Sequence, residues 1–369
     1  MITLRRVVTG FLALKIGVLL LNLATFPVLR PPSRSGASLS PANARRGRPD
    51  CVSLLVPVRD EAAGLAATVP AMLAQDADEL ILLDDASSDG SGPLAAALLA
   101  GHPGARVVTG TPAPPGWIGK SWACQQLADQ ASGSLLVFCD ADVLLGAGAL
   151  EAVITQMRAQ DASVFSVFPR QITASLGEHL ITPLIDDVLL CFLPFGLLSA
   201  DVPSAATANG SLLAFTRPAY DHLGGFAAVR GEISEDLAFA RRTRASGLKL
   251  GLALGGDLVA TRMYDGYREV IEGMARGLLP AAGGSRSRLI AGTGWHLLAY
   301  TLPSAMAVRR RSWALPLLLG VAERVLVEAK TRRRAWGQAA LTPLSPLAAL
   351  PILAQALRGA QRWKGRVYL

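Results

Sequence analysis

Leu135-Leu136-Val137-Phe138-Cys139-Asp140-Ala141-Asp142 is an apolar run of five residues that ends on two carboxylates at i and i+2. Bounded by Gly133-Ser134 on one side and acid on the other, the run reads as a short buried strand. In extended chain, residues two apart point to the same side, so the two carboxylates can serve one site. Working outward, Cys51 to Val58 is a second apolar run that breaks at Arg59-Asp60-Glu61, and Ala62 to Ala74 has helical apolar spacing. Glu79 to Leu83 reads as a strand ending in Asp84-Asp85, Leu94 to Leu99 as helix, Arg106 to Thr109 as strand and Ser121 to Ala131 as helix. Strands alternating with helices, with acids at strand ends, predict an α/β domain. Its sheet is mostly parallel and its site lies at the carboxyl edge.

Composition sets the surroundings. The chain has 369 residues, of which 51% are apolar and only 17% charged. That excludes an intrinsically disordered chain and argues against an ordinary soluble enzyme, where about 25% charge is usual. Lys and Arg number 36 against 28 Asp and Glu, a net charge of +8. A basic surplus on an apolar chain suits anionic lipid headgroups and anionic substrates. Nucleic acid is not expected as a partner, because aromatics are 6% and do not interleave with basic residues. Four widely spaced cysteines and four scattered histidines predict neither disulfides nor a zinc site.

The apolar excess lies at the ends. Val7 to Leu29, interrupted by Lys15 and Asn22, fits the ~20 residues that cross a bilayer. A signal peptide is the rival, but Ala42-Asn43-Ala44 lies too far beyond the run for the usual cleavage site. Residues 1–30 are therefore read as a membrane anchor and 31–50 as a basic linker. Arg30, Arg34, Arg45, Arg46 and Arg48 after the span place the downstream chain in the cytoplasm. Residues 51–288 are read as the catalytic domain and 289–369 as a membrane region of two or three spans, making a multi-pass protein of the cell membrane. Those spans are Leu289 to Val308, Trp313 to Ala329 with Glu323-Arg324 inside it, and Ala335 to Leu357. A charge pair in a span is costly unless it faces protein or pairs one turn on. Within the catalytic domain, residues 172–200 form an apolar stretch broken by Asp186-Asp187. It reads equally as a buried core helix or as an interfacial helix that admits a lipid.

Several short motifs carry candidate chemistry. Asp140 and Asp142 offer the hard oxygen ligands that Mg²⁺ or Mn²⁺ prefers. Val56-Pro57-Val58-Arg59-Asp60-Glu61 and Leu82-Leu83-Asp84-Asp85-Ala86-Ser87-Ser88-Asp89-Gly90 close the first two strands, and Asp89-Gly90 reads as a simple turn. Gly116-Trp117-Ile118-Gly119-Lys120 puts a lysine point charge before a helix without Walker spacing. Asn209-Gly210-Ser211 precedes an apolar strand, and Leu223-Gly224-Gly225-Phe226 makes a turn. Ser234-Glu235-Asp236 opens a helix, where the acids serve either as dipole complements or as a general base.

This ordered set, from VSLLVPVRDE through LLDDASSDGS, GWIGK, FCDADVLL, NGSLLAF, LGGF and SEDLAFARR to TRMYDGY, resembles the family 2 glycosyltransferases. Within them it is most similar to the membrane-bound hopanoid-associated and carotenoid branch. The match runs from about Val52 to Leu279, and the terminal WKGRVY is also typical. The resemblance implies a GT-A nucleotide-diphospho-sugar fold. It assigns Pro57, Arg59, Glu61, Asp85, Lys120, Asp140 and Asn209 to nucleotide-sugar binding, with Asp85 at the base and Lys120 at the diphosphate. Asp142 and Asp140 would hold the divalent cation. Asp236, beside Glu235, would be the base of an inverting displacement. The Gln-x-x-Arg-Trp signature of processive synthases is absent after Asp236, which favours transfer of one hexose, from UDP-glucose, to an apolar carotenoid- or hopanoid-like lipid. Polyprenyl-phosphate or diacylglycerol acceptors are the alternative, and a non-catalytic sugar-nucleotide-binding scaffold is a distant one.

Overall fold

A computed structural model describes residues 2–31, 51–200, 205–358, 361–363 and 366–368. Apart from residue 31, the basic linker lies outside them. The chain divides into two compact units. One is built from Pro27–Arg170 and Leu197–Thr261, the other from Met1–Phe26, Gln171–Gly196 and Arg262–Leu369. Gln171–Gly196 and Arg262 onward thus group with the N-terminal helix.

The first unit is an α/β sheet. Its strands are β1 (Val52–Val58), β2 (Glu79–Asp84), β3 (Ala105–Thr109), β4 (Leu135–Cys139), β5 (Val143–Leu145), β6 (Val164–Phe168), β7 (Arg170–Gln171), β8 (Leu212–Thr216), β9 (Leu250–Leu254) and β10 (Val259–Thr261). The seven-stranded sheet has the order β3-β2-β1-β4-β8-β6-β9, and a small one has the order β5-β10-β7. β1, β2, β3 and β4 are mutually parallel, β8 runs antiparallel to β4 and β6, and β9 is parallel to β6. Nearly every residue of β1, β2 and β4 is buried, as expected for central strands with both faces covered. Helices Ala62–Leu73, Ser91–Leu99 and Gly119–Gln130 supply the crossovers. The chain goes outward from β1 to β3 and then returns to β1's other side as β4. In such a sheet, the switch point at the carboxyl ends of β1 and β4 is where ligands bind.

The second unit is helical. Ile2–Thr25 buries Val8, Leu12, Lys15, Leu19 and Asn22, one stripe at three- and four-residue spacing. Against it lies Ala314–Thr331, parallel and in nearly constant register. Arg5 Nη1 donates to the Ser312 carbonyl (3.3 Å), Lys15 Nζ to Glu323 Oε1 (2.9 Å), and Lys330 Nζ to the carbonyls of Leu23 (2.9 Å) and Phe26 (2.7 Å). Arg324 pairs with Glu328 one turn on at 2.8 Å, while Glu323 faces Lys15. The stretch read as one apolar segment over 172–200 is three short helices, Leu176–Ile181, Pro183–Phe192 and Phe195–Ser199, interrupted at Pro183 and Pro194. Asn22 fixes the last break, donating to the Leu190 and Leu193 carbonyls and accepting from the Phe195 N–H. Ile2–Thr25 and Trp336–Leu357 are the two described helices long and apolar enough to cross a membrane.

Candidate active site

The site is built at the carboxyl ends of β1, β2 and β4. Just past β1, Arg59 Nη1 donates to the Asp85 carbonyl at 2.7 Å and lies 3.6 Å from its carboxylate, joining the ends of β1 and β2. Asp85 is buried and its N–H donates to the Val58 carbonyl. Around them Asp60 takes a left-handed φ of 50°, and its carboxylate accepts from the Ser88 N–H and hydroxyl. Asp89 accepts from Ala62 N–H and from Ser91, and Gly90 supplies a φ of 88° that favours glycine. Asp89-Gly90 is thus the turn that the sequence suggests. Glu61 caps the Ala62–Leu73 helix through its backbone, donating to Ser91 Oγ, and Pro57 lies half-buried on β1.

Past β4, Asp140 and Asp142 take different partners. Asp140 faces Lys120, whose ammonium lies 2.8 and 3.1 Å from its two oxygens and 3.2 Å from Glu235. Lys120 sits in the first turn of the Gly119–Gln130 helix, which has no side-chain cap. Burial works against its charge, yet Asp140 and Glu235 hold it well above the ordinary lysine range. Asp142 accepts instead from the Thr261 hydroxyl at 2.9 Å, from β10. Burial first, then the charges of Asp140 and Glu61, push it up to about 7. Around Lys120 stand Asp140 and Glu235 in direct contact, with Asp142 and Asp236 close enough to feel its charge and Glu61 repelling Asp142. One lysine does not balance that many acids, so the oxygen-rich, electron-dense donor set of Asp140 and Asp142 suits a hard divalent cation.

Asp236 opens the Glu235–Ala245 helix with both oxygens engaged by backbone: Gly210 N–H donates to Oδ2 (2.9 Å) and Leu237 N–H to Oδ1 (2.7 Å). Burial and then Glu235 push its carboxyl up to about 6. Gly210 is the meeting point. A Cβ there would lie 3.1 Å from Glu235 Oε1, 3.4 Å from Lys120 Nζ and 3.5 Å from the Asp236 Cβ. Asn209, in contrast, spends its side chain locally, accepting from the Ser211 N–H at 2.9 Å, while its own N–H donates to Ser166 Oγ.

The structure therefore gathers Lys120, Asp140 and Glu235 through direct contacts, joins Asp236 to them through the backbone of Gly210, and sets Asp142 and Glu61 against them electrostatically. Arg59 and Asp85 form a separate pair at the β1–β2 edge. Sequence reasoning missed Thr261 and the Gly210 N–H. The threonine opens the TRMYDGY motif, but nothing in the sequence marks it as the partner of Asp142. Among the described residues, the group of three close ligand-type side chains is Asp187, Cys191 and Glu323, in the helical unit. There the Lys15 ammonium already lies 2.8 Å from Asp187 and 2.9 Å from Glu323, so the centre is taken. Burial pushes the Cys124 and Cys139 thiols up, which keeps both as inert core.

Comparison with known proteins completes the picture. The family model Glycosyl transferase family 21 matches residues 18–265. A 4,4'-diaponeurosporenoate glycosyltransferase of Staphylococcus haemolyticus is 27% identical over 245 residues, 65% of this chain and 64% of that relative. The alignment thus leaves about a third of the relative's length unmatched. A solved mannosyltransferase from Pyrobaculum calidifontis, in complex with GDP-Man and Mn²⁺, is 17% identical. It covers 96% of this chain and 99% of its own, with a TM-score of 0.49. Glucosyl-3-phosphoglycerate synthase from Mycobacterium tuberculosis, in complex with Mn²⁺, UDP and glucosyl-3-phosphoglycerate, is also 17% identical, covering 67% of this chain and 83% of its own with a TM-score of 0.39.

Proposed function

The chain belongs to glycosyl transferase family 21, and from that premise we propose that it moves one hexose from a nucleotide-diphosphate sugar, UDP-glucose, to an apolar lipid of the carotenoid or hopanoid type. The observation that carries this is the Gly210 junction, where a cationic Lys120 and a carboxylate with a pKa near 6 share one turn of backbone.

Each residue has a task in that reaction. Lys120, with the uncapped N–H groups of its helix, offers positive charge to the diphosphate. In the free protein that charge is held by Asp140 and Glu235, which keeps the lysine positioned before donor arrives. Arg59 fixes Asp85 at the strand edge, where its carboxylate can accept from a base N–H or a ribose hydroxyl. Asp140 and Asp142 would hold a divalent cation, Mg²⁺ or Mn²⁺, which when bound neutralises charge developing on the leaving diphosphate. Asp236 takes the proton of an acceptor hydroxyl. Its two backbone hydrogen bonds aim it, and a pKa near 6 places it close to working pH, where a base is most effective.

A second reading concerns the acceptor. The Staphylococcus relative is named for diaponeurosporenoate, a carboxylate, and a carboxylate nucleophile has no proton for Asp236 to remove. Supplying the full chain in lipid with labelled nucleotide sugars and either a terpenoid alcohol or a terpenoid acid separates the two. With Asp236→Asn, transfer to the alcohol is expected to stop while transfer to the acid survives. Undiminished transfer to the alcohol would remove Asp236 as base.

A further inference from the structure

We propose that the end of the helical unit carrying Arg5, Arg6, Arg309, Arg310 and Arg311 is a docking surface for the phosphate headgroups of anionic lipids in one leaflet of a membrane. The proposal rests on the membrane part of the reading above and on none of its transfer chemistry.

Two basic segments some three hundred residues apart are brought together here. Arg5 Nη1 donates to the Ser312 carbonyl at 3.3 Å, so the start of Ile2–Thr25 and the turn before Ala314–Thr331 lie at one end of the parallel pair. Arg6, Arg309, Arg310 and Arg311 are all exposed. The chain itself offers them little neutralisation. No acidic residue occurs before Asp50, and none occurs between Glu272 and Glu323. Guanidinium groups stay charged at any working pH, so the charge has to be met from outside.

The other end of the same pair shows how this unit treats cations that it uses internally. Lys330 donates to two backbone carbonyls, and Arg333 reaches the Thr173 hydroxyl and lies 3.5 Å from Asp186. Among the described residues, nothing comparable engages the arginine triplet's side of the pair beyond the Arg5 contact.

What borders the arginines selects the occupant. Val308 is 88% exposed and Ile2 65%, with Val7, Leu315 and Leu318 also exposed alongside. An acidic protein surface would meet the charges and leave this aliphatic collar in water. A lipid leaflet meets both at once: phosphates for the guanidinium heads and acyl chains for the collar and the arginine stems.

The test uses the full chain in nanodiscs of phosphatidylcholine and phosphatidylglycerol at low and high salt. Lipids retained by the protein are counted by native mass spectrometry. Arg310→Gln with Arg311→Gln is compared with Arg158→Gln with Arg241→Gln, an equal charge loss at exposed positions of the α/β unit. The wild-type chain is expected to retain phosphatidylglycerol preferentially. The preference should fall roughly fivefold per arginine removed and shrink in high salt, and the control pair should leave it unchanged. Equal retention of the two lipids by the wild type, an unchanged preference in the Arg310 and Arg311 variant, or a self-association lost in that variant without any lipid preference would each overturn the proposal. A wild-type chain stripped from membranes by carbonate would overturn the membrane reading as well. One that resists the wash but shows no preference overturns this proposal alone.

Discussion

Two lysines in this molecule are each clasped by two carboxylates, and they teach opposite things. Lys15, in the helical unit, is 2% exposed and is closed in by Asp187, Glu323 and Tyr300, with the Phe192 ring 4.5 Å from its ammonium. Lys120, in the α/β unit, is held by Asp140 and Glu235 but is left 36% exposed, at the switch point of the sheet, with further acids around it. A charge sealed on every side is a packing device, since every alternative conformation would leave it unpaired in an apolar surround. A charge paired on one side and open on the other, among acids it cannot balance, is where the proposed function seats a ligand that brings both phosphate and cation.

Substitutions can break that comparison. Asp236→Asn should have the largest effect on turnover, lowering kcat with a hydroxyl acceptor by about 10²–10⁴. The KM for donor should stay within a few-fold, which steady-state kinetics will show. Lys120→Met should weaken transfer by about 10² or more through lost stabilisation of the leaving group, with little change in thermal midpoint. Lys15→Met should do the reverse. It strands two buried carboxylates and is expected to cost about 3–5 kcal/mol of stability, read by thermal unfolding in lipid. If both lysine variants lost stability equally, the contrast drawn between them would collapse.

The proton on Asp236 sharpens the picture further. Its carboxyl is raised to about 6, and only the ionised form can accept a proton. With a hydroxyl acceptor and saturating Mn²⁺, kcat/KM should therefore level off about one unit above pH 6 and fall tenfold per unit below it. A profile unchanged down to pH 5 would mean that another group is the base. The smallest effect is expected for Thr261→Val. Removing the hydroxyl takes away a bond that lowers the Asp142 pKa, so Mn²⁺ should be needed at a few-fold higher concentration for half-maximal transfer.

The sequence is legible wherever the controlling interactions are local. β1 to β4 and their crossover helices fall within a few residues of the ranges read from apolar runs and acid breaks, because parallel strands buried on both faces are continuous apolar segments. The Asp89-Gly90 turn is legible for the same reason. Lys15, Asp187 and Glu323 each interrupt an apolar run, and the sequence marks every one as costly. Their pairing across 172 and 308 residues has no local sign. Thr261 opens the TRMYDGY motif, yet its pairing with Asp142, 119 positions away, has no local sign either. Asn209 shows the converse. Its motif position suggested a ligand contact, while its side chain closes the turn that presents Gly210.

In the proposed reaction the opening at Lys120 receives the donor diphosphate. A structure of the full chain with a nucleotide diphosphate and Mn²⁺ tests it most directly. Diphosphate is expected beside Lys120, with the ion on Asp140 and Asp142. A nucleotide bound elsewhere, with Lys120 still clasping Asp140 and Glu235, would contradict it.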